Sequence, residues 1–170
     1  PMWKVTILLG LIAIAGGILG PDFAEGGGRK NKFFVSFHVE GDETEGKRRV
    51  QPEVVNGKQV YFRRTPIITH KQCDGYWPFP AEDGTFGVAF HLNTSGRRRL
   101  ATIALTERGK LLRTVVNLRQ VDTLVIDKKV DDMIVVWKGI TEAELKQIAK
   151  MMPQISDSQA EPDFGLDLNE

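Results

Sequence analysis

The hydrophobic pattern over residues 86–152 changes its period from two to about 3.6 and back, which constrains the fold more than any other feature. Phe86–Leu92 alternates like a strand, whereas 94–108 repeats its apolar residues at helical spacing. Strand patterns return afterwards, and a second helical pattern covers 141–152. Runs of strands interrupted by two helices predict an α+β fold, a mostly antiparallel sheet with two helices packed on one face.

Residues with known capping roles mark the ends of both predicted helices. Asn93 precedes the first helix and is a good N-cap, while Gly109 can end it in the left-handed conformation. Thr141 and Glu144 have the spacing of a capping box, and Pro153 stops the second helix. We therefore expect helices close to 94–108 and 141–152.

The preceding part of the chain predicts further strands. Residues 33–40 alternate, which places His38 on the more polar face, where we expect it to be solvated. Asn56-Gly57 lies between two strand patterns and suits a type I′ turn, which predicts a hairpin. Strand patterns also cover 110–117, 121–126 and 133–137, with a turn at 117–120.

Two further strand segments carry specific expectations. Residues 71–80 hold two prolines among aromatic residues, which favours an irregular segment at a sheet edge. On Phe86–Leu92, the second face holds Gly87, Ala89 and His91, and its small residues suggest that a helix packs closely there.

The chain divides into four predicted regions. Residues 2–20 join one lysine to a long uncharged run and are typical of a signal peptide or a single N-terminal membrane anchor. Residues 21–32 contain three consecutive glycines and predict a flexible linker. Residues 33–152 form the α+β domain, and 153–170 are an acidic tail that we expect to be disordered. This order predicts an extracytoplasmic location, in the periplasm or cell envelope, membrane-anchored or secreted.

The formal net charge of +1 hides a split between body and tail. Residues 26–152 carry 22 Lys and Arg against 15 Asp and Glu, whereas residues 153–170 carry five acids and no base. A basic body could favour anionic partners or membrane surfaces, although a soluble charged surface is the simpler interpretation.

Side chains that could do chemistry are few and scattered. One cysteine rules out a disulfide within the chain, and Cys73 is more typical of a half-buried structural residue than of a nucleophile. The three histidines lack metal-ligand spacing, so we expect neither a metal nor a cofactor. Nucleic acid is not an expected partner, because aromatic and basic residues are not interleaved as in stacking motifs.

Two clusters are candidate contact sites for a partner. Tyr76, Trp77 and Phe79 lie next to Pro78 and Pro80 and offer a large apolar area, although burial in the core is an equal alternative. Arg97, Arg98 and Arg99 occupy the first turn of a predicted helix, where cations oppose the helix dipole. Such a triplet suits carboxylates or other anions, and a solvated helix face paired with nearby acids is the alternative.

Several of these segments together resemble one known family. They read TFGVAFHL at 85–92, NTSGRRRLAT at 93–102, GKLLRTVV at 109–116 and WKGITEAELK at 137–146. The succession resembles the head of the large periplasmic region of SecD, with its strand, T-x-x-G-A-like helix start, GK-x-L strand, hairpin and G-x-[FIT]-T-x-x-E-A helix. The resemblance covers about half of the chain, roughly 67–149.

The resemblance implies a non-enzymatic role in protein export, in which the head contacts a translocating polypeptide. In that family, proton coupling belongs to acids in membrane helices, and we expect that part to be missing here. The prediction is an exported SecD-like binding or accessory module for polypeptide or an envelope protein, held at the membrane if the N-terminal segment stays uncleaved. The alternative is a small extracytoplasmic enzyme with an unrecognised site.

Overall fold

The structure, a computed structural model, describes residues 32–127 and 132–155. Strands and two α-helices make up most of this part of the chain. The first strands are β1 Val35–Gly41, β2 Val50–Val55, β3 Lys58–Arg63, β4 Ile68–Thr69 and β5 Cys73–Pro80. The remaining elements are β6 Phe86–Leu92, α1 Thr94–Thr106, β7 Leu111–Val116, β8 Arg119–Val125, β9 Met133–Ile140 and α2 Glu142–Met151. The predicted α+β class is confirmed.

The strands form two sheets, a division that the hydrophobic pattern did not indicate. A six-stranded sheet has the order β2-β3-β1-β7-β8, with β4 also paired to β1. A three-stranded sheet has the order β5-β6-β9. The paired strands within both sheets are antiparallel.

One hydrophobic core joins the two sheets and the two helices. Phe37 of β1 and Phe90 of β6 are fully buried, and their rings meet edge to face with centroids 5.7 Å apart. Ile103 of α1 and Ile148 of α2 belong to the same buried cluster. Since aromatic and aliphatic side chains of this size dominate burial energy, the core holds the sheets together.

Both helices begin where their capping residues predict. The Asn93 side chain accepts a hydrogen bond from the Gly96 N–H at 3.0 Å and caps α1. At α2, the Glu144 N–H donates to Thr141 Oγ1 at 3.2 Å, and the Thr141 N–H donates to Glu144 Oε2 at 2.9 Å. The capping box is therefore confirmed, and both helices lie within two residues of their predicted bounds.

The predicted hairpin is confirmed as β2–β3. Asn56 and Gly57 have φ values of 50° and 76°, the two left-handed residues of a type I′ turn. The turn at 117–120 is confirmed as well, and there Asn117 and Leu118 take positive φ values.

Strand β5 differs from the irregular segment that its prolines suggested. It pairs with β6 from Cys73 to Pro80, with a single irregularity between Cys73 and Gly75. The Tyr76 backbone bonds away from β6, so Pro78 and Pro80, at alternate positions from it, also turn their nitrogens to the outer side of the strand. Because the proline nitrogens point away from β6, the absence of their N–H groups removes no hydrogen bond between β5 and β6. This explains why an edge strand tolerates both prolines.

The expectation that His38 is solvated was wrong, since the residue is only 8% exposed. Its Nδ1 donates to the Arg63 carbonyl at 2.8 Å, and the Ser36 hydroxyl lies 2.9 Å from its Nε2. Arg63 ends β3, so the hairpin reaches over the polar face of β1 and shields the imidazole. Burial lowers the pKa of His38 below its usual value, and the nearby Arg113 charge lowers it further.

The ordered body extends three residues beyond the predicted domain end. The Tyr76 N–H donates to the Pro153 carbonyl at 3.1 Å, and the Ile155 N–H donates to the Tyr76 carbonyl at 2.9 Å. This short parallel bridge lies against the outer edge of β5. The predicted segment 2–20, the predicted linker 21–32 except Lys32, and residues 156–170 of the predicted tail 153–170 lie outside the described residues. In the described part, no helix is both long and apolar enough to cross a membrane.

Candidate functional site

Aromatic side chains gather on the outer face of the three-stranded sheet. The Trp77 and Phe79 rings on β5 lie with centroids 5.6 Å apart, and the Phe79 ring meets Trp137 of β9 at 6.0 Å. Trp77 and Phe79 are partly exposed, and Trp137 is 49% exposed. We call these three residues the aromatic face. Large rings held side by side supply apolar contact area at low conformational cost.

Gly87 of β6 makes this arrangement possible. A Cβ atom at Gly87 would come within 2.2 Å of Phe79 Cε2 and 2.7 Å of the Trp137 carbonyl oxygen. The Phe79 ring therefore occupies the space above Gly87. The expectation that a helix packs on this side of β6 was wrong, because aromatic rings from neighbouring strands fill it.

The structure divides the predicted aromatic cluster between two faces. Trp77 and Phe79 point outwards, while Tyr76 points inwards and is only 4% exposed. Trp137 takes the third place, and sequence reasoning missed it as a site residue. Its contact with Phe79 depends on β9 pairing with β6 across more than 40 residues of chain, which no local pattern reports.

The predicted arginines lie apart from the aromatic face. Arg97, Arg98 and Arg99 are exposed at the start of α1, which follows the end of β6 opposite to Gly87. Gly87 and Leu92 are five residues apart, about 17 Å along a strand. Arg99 donates to the Ile67 carbonyl at 3.1 Å, and Arg97 lies 3.5 Å from the Thr94 hydroxyl. Among the residues described, none of the three arginines forms an ion pair with an acid.

Between these clusters, one histidine bridges two carboxylates. His91 Nδ1 lies 2.5 Å from Asp74 Oδ1, and its Nε2 lies 3.2 Å from Asp132 Oδ2. The irregularity in β5 turns Asp74 to the same side of the sheet as His91. The trio joins β5, β6 and the chain before β9. Within 32–127 and 132–155, no three His, Cys, Asp or Glu side chains are placed to hold a metal ion.

Cys73 is buried, and its environment disfavours the thiolate. Burial, with the Asp74 charge as a lesser cause, raises the pKa of the Cys73 thiol to about 12. Its Sγ lies 3.7 Å from the Thr69 carbonyl oxygen. A thiol in this state is a poor nucleophile, since the thiolate is the reactive form.

Similarity to known proteins is found in the fold and not in the sequence. No family model matches the sequence, and no curated protein does. The fold is similar to that of SecDF. One solved structure, of a membrane component SecDF that enhances protein export, has 12% identity and a TM-score of 0.48 over 71% of this chain and 63% of its own. A second, SecDF in a super-membrane-facing form, has 13% identity and a TM-score of 0.49 over 71% of this chain.

The chain spans less than two thirds of the length of either SecDF structure, 63% of the first and 19% of the second. Both solved structures are of SecDF, and the sequence motifs at 85–146 resemble SecD.

A groove lies on the outer side of the larger sheet. It has a volume of about 400 Å³ between hairpin β2–β3 and strands β7–β8, and exposed Val54 and Val125 line it. Close by, Arg113 pairs with Glu53 at 2.6 Å, and its guanidinium lies 4.8 Å from the Phe62 ring centroid. Because Arg113 is almost fully buried, this pair fixes the hairpin to the sheet.

Proposed function

We propose that the chain is an exported, non-enzymatic binding module that holds extended polypeptide segments against the aromatic face. The single observation that carries this proposal is the contact of Trp77 and Phe79 with half-exposed Trp137 across the outer face of one sheet. Residues of this kind dominate the energy of protein interfaces, and rings already packed together lose little freedom on binding.

The chemistry of this surface suits apolar side chains of a polypeptide more than a small molecule. The rings form a row across two strands rather than the walls of a closed pocket, so a ligand would be covered on one side. The sequence resemblance to SecD supports the same class of partner. We also propose that the module acts in protein export and that its physiological partner is a polypeptide or an envelope protein.

The arginines supply a second, electrostatic contact. Arg97, Arg98 and Arg99 are exposed on α1, which starts two residues after β6 ends, and β6 itself runs about 17 Å from Gly87 to Leu92. A polypeptide that contacts both clusters therefore has to span at least about five residues in an extended conformation. A polypeptide with apolar residues at one end and carboxylates at the other would satisfy both clusters. Contacts between exposed charges weaken as ionic strength rises, so this part of the binding should be salt-sensitive.

Binding to an unfolded polypeptide tests the proposal. A fluorescently labelled, reduced and carboxymethylated protein is titrated with the 170-residue chain, and anisotropy is recorded. Trp77→Ala, Phe79→Ala and Trp137→Ala should each weaken binding about tenfold, the usual loss at an interface hot spot. The triple change of Arg97, Arg98 and Arg99 to Ala should weaken binding at low salt and matter less at high salt.

Leu105→Ala is the matched control. Leu105 is 82% exposed on α1, whereas the three rings belong to β5 and β9, so its loss should leave the affinity unchanged. Circular dichroism checks that every variant stays folded. Folded aromatic variants that bind as tightly as the wild type would contradict the proposal.

The export part of the proposal is tested separately. Residues 2–20 motivate it, through a lysine followed by an uncharged run. Cell fractionation should recover the full chain in the envelope or outside the cytoplasm, with or without removal of its N-terminal segment. Intact chain that stays in the cytoplasmic fraction would contradict export without affecting the binding proposal.

The enzyme alternative has one observation in its favour, the Asp74–His91–Asp132 trio. An imidazole held by carboxylates is a geometry that general bases use. Turnover of a small substrate that His91→Asn abolishes would favour this alternative and overturn the non-enzymatic role.

A further inference from the structure

We propose that the C-terminal segment 156–170 folds back onto the aromatic face of its own chain and competes there with polypeptide. Its apolar residues Phe164, Leu166 and Leu168 would contact Trp77, Phe79 and Trp137. The inference rests on the proposed function for the identity of the competing ligand. The docking of the segment itself rests on the position and direction of Gln154 and Ile155 beside β5.

The chain leaves the described body on the face that carries the aromatic rings. A Cβ atom at Gly75 would lie 2.6 Å from Ile155 Cγ2 and 3.9 Å from His91 Cβ. Gly75 pairs with His91, and two residues along β5 Trp77 pairs with Ala89. Because alternate residues of a strand share a face, Ile155 lies on the same side of the sheet as Trp77 and Phe79.

The direction of the chain at this point is towards the rings. Gln154 and Tyr76 form a parallel bridge, so the chain beyond Ile155 starts in the direction from Tyr76 to Pro80. Trp77 and Phe79 lie in that direction on the same strand.

Two prolines end the backbone pairing at this edge. Pro78 and Pro80 occupy the positions where β5 would next donate to a parallel neighbour, and proline has no N–H. The segment therefore cannot continue as a fully paired strand beside β5. Its contact with the sheet would have to come from side chains, and the nearest large side chains are those of the aromatic face.

The segment has a suitable pattern for such a contact. Phe164, Leu166 and Leu168 alternate with Gly165, Asp167 and Asn169. In an extended conformation the three apolar side chains share one side, and the polar ones share the other. One apolar strip would then cover the rings while the acids face water.

The length of the segment allows this contact. Nine residues separate Ile155 from Phe164, which gives a reach of up to about 30 Å. The rings span about 7 Å along β5 from Gly75 to Trp77 and about 10 Å across two strand spacings to β9. A relaxed chain of nine residues has an end-to-end distance of about 15–18 Å, so the contact needs no stretching.

Charge adds to the preference for the parent body. Residues 153–170 carry five acids and no base, whereas over residues 26–152 the 22 Lys and Arg outnumber the 15 Asp and Glu. This attraction is general rather than paired, and it holds an acidic segment close to the domain at low ionic strength.

Photo-crosslinking in the full 170-residue chain tests the docking directly. Leu166 is replaced by p-benzoylphenylalanine, the chain is irradiated at low micromolar concentration, and crosslinked peptides are mapped by mass spectrometry. We expect crosslinks within one chain to β5 and β9 peptides that contain Trp77, Phe79 or Trp137. The same probe at Gln159, outside the apolar strip, is the matched control and should crosslink these peptides much less.

Polypeptide binding gives the second measurement. A tethered segment has an effective concentration near 1 mM, so a contact with an intrinsic Kd of about 0.1 mM would occupy the face about nine-tenths of the time. Replacing Phe164, Leu166 and Leu168 together by Ser should therefore tighten binding of the labelled polypeptide about tenfold. Replacing Ser156, Ser158 and Gln159 by Ala should leave binding unchanged.

The two readouts separate this inference from the proposed function. Crosslinks to the aromatic face without any polypeptide binding would support the docking and contradict the proposed function. Crosslinks that map to Arg97–Arg99 peptides, to the groove beside Val54, or only between two chains would overturn the docking. Unchanged polypeptide affinity in the Phe164, Leu166 and Leu168 variant would overturn the competition.

Discussion

At the scale of single residues, burial decides what the ionisable side chains do. His38 is held neutral between the Arg63 carbonyl and the Ser36 hydroxyl, because burial lowers its pKa. Burial lowers the pKa of His70 as well. Both residues sit on or beside strands of the larger sheet, so their protonation is coupled to folding rather than to an exposed site.

This coupling predicts a loss of stability in mild acid. A histidine whose folded pKa is lowered takes up its proton more readily in the unfolded chain. The stability it contributes is complete above about pH 6.5 and is lost as the pH falls below that value towards the folded pKa. The urea midpoint should fall between pH 7 and pH 5, and His38→Gln should flatten that dependence, with His70 accounting for the remainder.

Paired carboxylates affect the unfolding free energy at lower pH than the histidines do, so the two contributions can be told apart. Hydrogen bonds from Lys110 and Arg63 lower the pKa of Glu107, so its contribution is present above about pH 4.5 and is lost as the pH falls further. Equal slopes for wild type and His38→Gln between pH 7 and pH 5 would show that His38 is not the titrating group.

Gly87 is needed because the Phe79 ring lies too close to leave room for a side chain at this position. Gly87→Ala should cost ~2 kcal/mol in unfolding free energy, because the new methyl group would overlap the Phe79 ring. Urea denaturation measures the change. In a Phe79→Ala background the same substitution should cost less, and an equal cost in both backgrounds would mean that the ring is not what excludes the methyl group.

At the scale of elements, caps and buried pairs hold each segment in its place. The capping box of α2 combines Thr141 and Glu144, and Arg119 of β8 also binds Glu144 through its guanidinium. Arg63 of β3 likewise joins Glu45 to Glu107, which follows α1. These contacts fix how helices and hairpin meet the sheets.

Removal of the cap should weaken the second helix. Thr141→Ala should lower the unfolding free energy by about 1 kcal/mol, because the Glu144 N–H loses its acceptor at the helix start. Thr102→Ala is the control, since Thr102 is exposed within α1 and its hydroxyl donates to the Arg98 carbonyl of the same helix rather than to a free N–H at the helix start. An unchanged denaturation midpoint for Thr141→Ala would rule out a stabilising role for the capping box.

The pair that joins the hairpin to the larger sheet predicts a greater effect. Arg113 and Glu53 have side chains only 8% and 19% exposed, and Arg113 Nε is buried without a hydrogen-bond partner in the described structure. Glu53→Gln should cost about 3 kcal/mol, because it leaves a buried guanidinium without its counter-charge. Glu142→Gln, in the exposed pair with Lys146, should change the urea midpoint very little, and similar effects of the two variants would contradict this account.

At the scale of the whole molecule, the described body has two sheets and one core. Phe37 and Phe90 meet at the contact between the sheets, and both are fully buried. The inner face of the three-stranded sheet is buried in the same core as Phe37 of the larger sheet, so separation of the sheets would expose its apolar side chains to water. The two sheets should therefore unfold together.

Two spectroscopic probes can check this cooperativity. In a Trp3→Phe background, tryptophan fluorescence reports the three-stranded sheet through Trp77 and Trp137, while far-ultraviolet circular dichroism reports all elements. Their urea transitions should coincide. Phe90→Ala should move both transitions together, with a loss of about 3–5 kcal/mol from the cavity it leaves. Separate transitions would show that the sheets are independent units.

Local sequence patterns were sufficient for most elements of this chain. The caps at Asn93 and Thr141, the turn at Asn56-Gly57 and the alternation of β6 depend on residues within a few positions of one another, so the hydrophobic and capping patterns report them directly. The α+β class follows from the same patterns.

Tertiary structure alone decided how these elements combine. The split into two sheets, the burial of Tyr76 and His38, and the placement of Trp137 beside Phe79 depend on pairings between residues far apart in sequence. A strand pattern shows that two faces differ without showing which segment covers each. That choice is made by the competition of all strands for one core, and it determined which predicted aromatic residues became a surface.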